Sequence, residues 1–125
     1  MEKKIIATTA APAAIGPYSQ GIDLGNLVFC SGQLPVDPAT GEMPADIAAQ
    51  TKQSLTNVKA LLTEAGLGMG HIVKTTVFLQ NMSEFAAMNE VYASFFESAP
   101  PARSTVEVAK LPKDALIEIE VIAAR

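Results

Sequence analysis

Leu116-Ile117-Glu118-Ile119-Glu120-Val121-Ile122-Ala123 decides the fold. Ile117, Ile119 and Val121 fall on one side of an extended chain, and Glu118 and Glu120 fall on the other, which is the two-residue period of a half-buried strand. Such a strand needs a layer over its apolar side. Two upstream segments have the helical period that could supply it. From Asp46 to Ala65, Ile47, Thr51, Leu55, Val58, Leu62 and Ala65 recur at three- and four-residue steps, and Gly66 suits a helix end. From Ser83, a good N-cap, to about Glu97, the stripe is Phe85, Met88, Tyr92, Phe95 and Phe96.

Strand patterns occupy the rest. Lys4–Ala7 is short. Leu27–Leu34 is rich in β-formers. Ile72–Gln80 alternates Val73, Val77 and Leu79 with Lys74, Thr76 and Gln80, and Arg103–Lys110 follows two stiffening prolines. Gly25-Asn26, Pro35–Gly41 and Leu111–Asp114 are turn-rich. Strands, helix, strand, helix, strands make an α+β domain: one sheet with two helices on one face. Arg103–Lys110 and Leu116–Ala123, joined by a short turn, are expected to pair as a hairpin. That pairing would bring Arg103 towards Glu118. The second face of the sheet carries Leu116 and Ile122 beside the two glutamates, with no segment left to cover it. Another copy of the chain is the expected cover, and a pocket between subunits follows.

The chain has 125 residues, enough for one core, and 1–125 reads as a single domain. Nine Lys and Arg stand against 13 Asp and Glu, a formal net charge of −4. Nucleic acid is not the expected partner of a chain with no dense basic run. One cysteine, Cys30, and one histidine, His71, form no metal cluster and no internal disulfide. Cys30 reads as a half-buried strand thiol, and His71 as a surface residue or strand-start cap. The apolar run after Lys3 and Lys4 stops at Thr8, short of a signal peptide, and no run approaches a membrane span. The expectation is a soluble cytoplasmic protein.

The chemistry-bearing residues are few. Arg103, in Pro100-Pro101-Ala102-Arg103-Ser104-Thr105, presents a planar fork that fits a carboxylate. A glutamate walled in by a neighbouring subunit would have a raised pKa and could relay a proton near neutrality. Gly16-Pro17-Tyr18-Ser19-Gln20-Gly21 reads as a pocket wall. Ser31-Gly32-Gln33 reads as a place where backbone approaches a ligand.

Together these segments, with Val73-Lys74-Thr75-Thr76-Val77-Phe78-Leu79, the block from Pro101 to Leu111 and Ile117-Glu118-Ile119, strongly resemble the reactive intermediate deaminase family, RidA or YjgF, in its enamine/imine branch. The likeness runs over nearly the whole chain, and its Pro101–Ile119 block is the most specific part. It implies a chorismate-mutase-like fold and a barrel-like homotrimer with sites between subunits. It implies hydrolysis of 2-aminoacrylate/2-iminopropanoate and 2-iminobutanoate to 2-oxo acids and ammonia, without a cofactor or metal. These intermediates arise from pyridoxal-phosphate-dependent dehydratases, and their removal protects pyridoxal-phosphate enzymes. By position, Arg103 would clamp the substrate carboxylate and Glu118 would position and protonate around the attacking water. Tyr18, Ser31, Gly32, Asn89 and Thr105 would line the pocket. Thr105 stands where many relatives have cysteine. The alternative is a module that binds a 2-oxo acid without turning it over.

Overall fold

The computed structural model describes residues 2–125. Six strands form one sheet: β1 (Lys4–Ile6), β2 (Gly21–Asp23), β3 (Leu27–Gln33), β4 (Ile72–Leu79), β5 (Ala102–Glu107) and β6 (Ile117–Ala124), in the order β1-β2-β3-β6-β4-β5. Helix α1 (Ile47–Glu64) joins β3 to β4, and α2 (Phe85–Ala93) joins β4 to β5. All pairs are antiparallel except β4 with β5.

The expected hairpin does not form. β5 lies parallel to β4, and β6 slots in on the other side of β4, between it and β3. The connection 108–116 arches over the end of β4. Val108 N–H donates to Leu79 O, Gln80 N–H to Leu116 O, and the Gln80 amide to Ala109 O. Backbone groups that a hairpin would have paired are satisfied by the strand between.

One face of the sheet is the core. Val28, Cys30, Val77, Leu79, Ile117, Ile119, Val121 and Ala123 are buried with Leu55, Val58, Leu61 and Leu62 of α1 and Met88 and Tyr92 of α2. Each fully buried Leu or Ile contributes about 1.5–3 kcal/mol. The α1 stripe falls where its spacing puts it, and Asp46 caps the helix by accepting from Ala49 N–H at 2.7 Å, worth about 1 kcal/mol. A second, polar row on α1 is buried too. Ser54 Oγ donates to Gln33 O, the Asn57 amide to Leu34 O and Val36 O, and the Gln50 amide to Pro44 O. Gln50 Oε1 accepts from Leu116 N–H. This row fixes the loop that leaves β3.

The second helix begins later and ends earlier than its sequence suggests. Ser83 does not cap it: a 3₁₀ turn over Met82–Glu84, capped by the Asn81 side chain accepting from Ser83 N–H, precedes α2, whose own N-cap, Glu84, makes no side-chain cap bond. Met88 and Tyr92 are buried, with Phe85, Phe95 and Phe96 at the core's margin. Strand β2 is too short to show a period. Leu116 lies outside β6 and packs against the core, not on the open face.

The face away from the helices is open in the protomer. Ile5, Ile22, Phe29 and Ile122 pair in register across it, and Glu120 and Glu118 follow along β6 beside Thr76 and Phe78. No helix of the described residues is long and apolar enough to cross a membrane.

Candidate functional site

Arg103 sits on edge strand β5 opposite Thr75, so its side chain shares the helix-covered face. Three groups on α2 hold the guanidinium. Its Nη1 donates to Asn89 Oδ1 at 2.7 Å, and its Cζ lies 4.8 Å from the Tyr92 ring centroid and 5.4 Å from that of Phe85. Phe85, Asn89 and Tyr92 recur at helical steps of four and three, so one turn-spanning face of α2 is built around this cation. Tyr92 is fixed in turn by its hydroxyl, 2.8 Å from Thr75 Oγ1. A half-buried arginine with one bond to a neutral amide keeps its other donors for a ligand. Thr105, two residues on, faces the same way, and its buried Oγ1 has no partner.

Glu118 stands on the other face of the sheet. It pairs in register with Phe78, whereas Arg103 lies beside Thr75, whose β6 partner is Val121. The protomer therefore separates the two residues that a hairpin would have joined. A bulge between Cys30 and Gln33 frees Ser31 and Gly32 from the ladder with β6. Gly32 lets the Glu118 carboxylate lie against the backbone there, since any Cβ at position 32 would overlap it. Burial, and then the nearby Glu120, raise the Glu118 pKa above the ordinary carboxylate value.

Tyr18, Ser31, Gly32 and Glu118 line one cavity of about 660 Å³. The Tyr18 ring is exposed towards it from the 8–20 loop. Gln20 organises that loop: Thr8 N–H donates to its Oε1 at 2.7 Å, and its Nε2 donates to Thr8 O and Pro12 O. Ser31 Oγ donates to Ser19 O at 2.7 Å, tying the loop to the bulge. The α1-anchored loop after β3 forms the opposite wall.

The seven residues singled out from the sequence thus form two groups. Tyr18, Ser31, Gly32 and Glu118 share the cavity. Arg103, Asn89 and Thr105 gather beneath α2. Sequence reasoning assigned Phe85 and Tyr92 to the core and missed that they flank Arg103. It passed over Gln20 as a structural organiser and Lys113 as a cavity residue. Cys30 is buried, and its thiol pKa is pushed up to about 12, which leaves no thiolate near neutrality. His71 is exposed, its Nδ1 accepting from Gly68 N–H. Among the described residues, no group of three or more His, Cys, Asp or Glu is placed to hold a metal ion.

A small one-sheet α+β protein thus presents a cation at a sheet edge and a raised-pKa carboxylate lodged at a glycine bulge. The family model described as Endoribonuclease L-PSP matches residues 8–125. The chain is 61% identical to 2-iminobutanoate/2-iminopropanoate deaminase of Escherichia coli strain K12, over 98% of each chain. Its fold matches the solved structure of the E. coli YjgF gene product with a TM-score of 0.95, at 61% identity over 98% of each chain. It matches that of E. coli TdcF with bound serine with a TM-score of 0.95, at 56% identity and the same coverage. The chain belongs to the Endoribonuclease L-PSP family, the YjgF/RidA proteins.

Proposed function

We propose that the protein is a 2-iminobutanoate/2-iminopropanoate deaminase, a hydrolase acting on a C=N bond. The observation that carries this reading is Arg103, caged by Asn89, Tyr92 and Phe85 with donors to spare, in a chain 61% identical to an enzyme of that name. The working form is a homotrimer. The open face of the sheet and the unspent β5 edge suit contact with further copies. In that arrangement the Arg103 group of one subunit meets the Glu118 cavity of the next.

The chemistry asks little of the protein. A 2-imino acid and water give a 2-oxo acid and ammonia, with no change of oxidation state. Arg103 grips the carboxylate in bidentate fashion and aligns the imine carbon. Glu118, with its raised pKa, takes a proton from the attacking water and returns one to the departing nitrogen. The enamine form is protonated at carbon to reach the imine. Tyr18, Ser31 and Gly32 shape the wall of the pocket, and Asn89 keeps the guanidinium in plane. Thr105, with its orphaned hydroxyl, completes the Arg103 side. Proximity and orientation supply up to ~7–11 kcal/mol in the best cases, more than a reaction that also runs unaided in water requires. A buried, free Cys30 suits a reducing compartment, and the cytoplasm is the inferred location.

A second reading, binding of an amino or oxo acid without turnover, is favoured by the relative solved with bound serine. One experiment separates the two. Purified protein is added to a threonine dehydratase and threonine, and decay of the imine absorbance is followed. Faster decay than in buffer, abolished by Arg103→Ala, supports the deaminase. Binding of 2-oxobutanoate with no faster decay supports the second reading.

A further inference from the structure

Lys113 is the single cation among the residues that line the Glu118 cavity. Its backbone is unusual. Lys113 has φ 58° and ψ 22°, and Asp114 follows at φ 56°. Two successive non-glycine residues in the left-handed region are rare, since each brings its Cβ against backbone. The turn is nonetheless set firmly. Asp114 N–H donates to Leu111 O, Ala115 N–H to Pro112 O, and Leu111 and Ala115 are buried. The result is an exposed side chain held on the rim of the cavity.

That ammonium is uncommitted. The ion pairs among the described residues are Lys110 with Asp114 and Arg125 with Asp23, and Lys113 is in neither. A free cation on the rim of a cavity, in a chain of net charge −4 that repels anions overall, has one evident use.

We propose that Lys113 captures the carboxylate of the incoming imino acid at the cavity mouth, before Arg103 grips it. This inference rests on the deaminase reading. Lys113 is a positioning residue for entry and takes no part in bond making. Removing its charge raises KM and leaves kcat alone.

The test uses Lys113→Asn, since asparagine tolerates the left-handed backbone while lacking the charge. Lys113→Arg keeps the charge, and Lys59→Gln, on the exposed side of α1, makes the same change in net charge elsewhere. Imine turnover is measured at low and at near-physiological ionic strength. At low salt, Lys113→Asn raises KM by about threefold to tenfold with kcat within about twofold of wild type. The difference shrinks as salt rises. Lys113→Arg restores KM, and Lys59→Gln leaves it unchanged. An unchanged KM, an equal rise with Lys59→Gln, or a fall confined to kcat would overturn the proposal. If the wild type shows no turnover, the deaminase reading fails instead. Titration of the same proteins with 2-oxobutanoate then decides the role of Lys113: weaker, less salt-sensitive binding by Lys113→Asn upholds capture, and equal binding overturns it.

Discussion

Arg103 and Glu118 project from opposite faces of one sheet, separated by β4 and displaced along it. Neither can serve the other's ligand within a protomer. In the proposed trimer their cooperation runs between subunits, and each can be disabled without disturbing the other's surroundings in the protomer.

Arg103→Lys is the first case. Lysine keeps the charge but loses the planar fork and its stacking on Tyr92 and Phe85. Activity falls by about 10²-fold, with little change in thermal stability. Asn89→Ala removes one hydrogen bond to the guanidinium. It raises KM more than it lowers kcat, by about tenfold, close to 1.4 kcal/mol. Steady-state imine decay checks both.

Glu118 has a raised pKa in the folded protein, from burial first and Glu120 second. The folded state then holds its proton to higher pH than the unfolded chain does. The Glu118 contribution to stability falls as pH rises from the ordinary carboxylate value through the raised one, and is level above it. Glu118→Gln removes this loss. The variant melts higher than wild type at neutral pH, and the gap closes on acidification below the ordinary carboxylate range. In wild type, the acid limb of the pH–rate profile lies above the pH at which a free glutamate titrates.

Gly32→Ala brings a methyl group into the Glu118 carboxylate. The carboxylate must swing away from the bulge. Turnover falls by about 10²-fold, since small misplacements at a reacting group carry that effect, while the sheet persists by circular dichroism. Wild-type activity in this variant would mean that the contact is not used.

Gln20 is buried and holds the 8–20 loop through Thr8, Ala11 and Pro12. Gln20→Ala leaves those backbone groups short of partners and costs about 1–3 kcal/mol, read as a lower denaturant midpoint. Tyr18 loses its fixed position, so KM rises as well.

Periodicity reveals the layers of this fold. Ile117, Ile119 and Val121 announce a one-sided strand, and the α1 stripe from Ile47 to Leu62 announces its cover; all are buried. Strand order is not legible in the same way. Alternation says which face a residue occupies and nothing about which neighbour it pairs with, so β6 beside β3 and β4 escaped a reading that joined adjacent strands. The buried polar row Gln50, Ser54 and Asn57 escaped because its partners are backbone carbonyls, of Pro44, Gln33 and Leu34, and backbone acceptors leave no mark in the side-chain pattern. At the site, residue type pointed to Arg103 and Glu118, and resemblance to the family pointed to Asn89 and Thr105. The aromatic cage around Arg103 carried the same signature as core, because Phe85 and Tyr92 also serve the core.

Subunit mixing tests the central claim most directly. The Arg103→Ala and Glu118→Gln proteins, each expected to be inactive alone, are denatured, combined in equal amounts and refolded to the proposed trimer. If Arg103 of one subunit works with Glu118 of the next, random assembly leaves about a quarter of the sites with both groups intact, and the mixture regains about that fraction of wild-type imine turnover. A mixture that refolds to trimers and stays inactive would contradict the shared site.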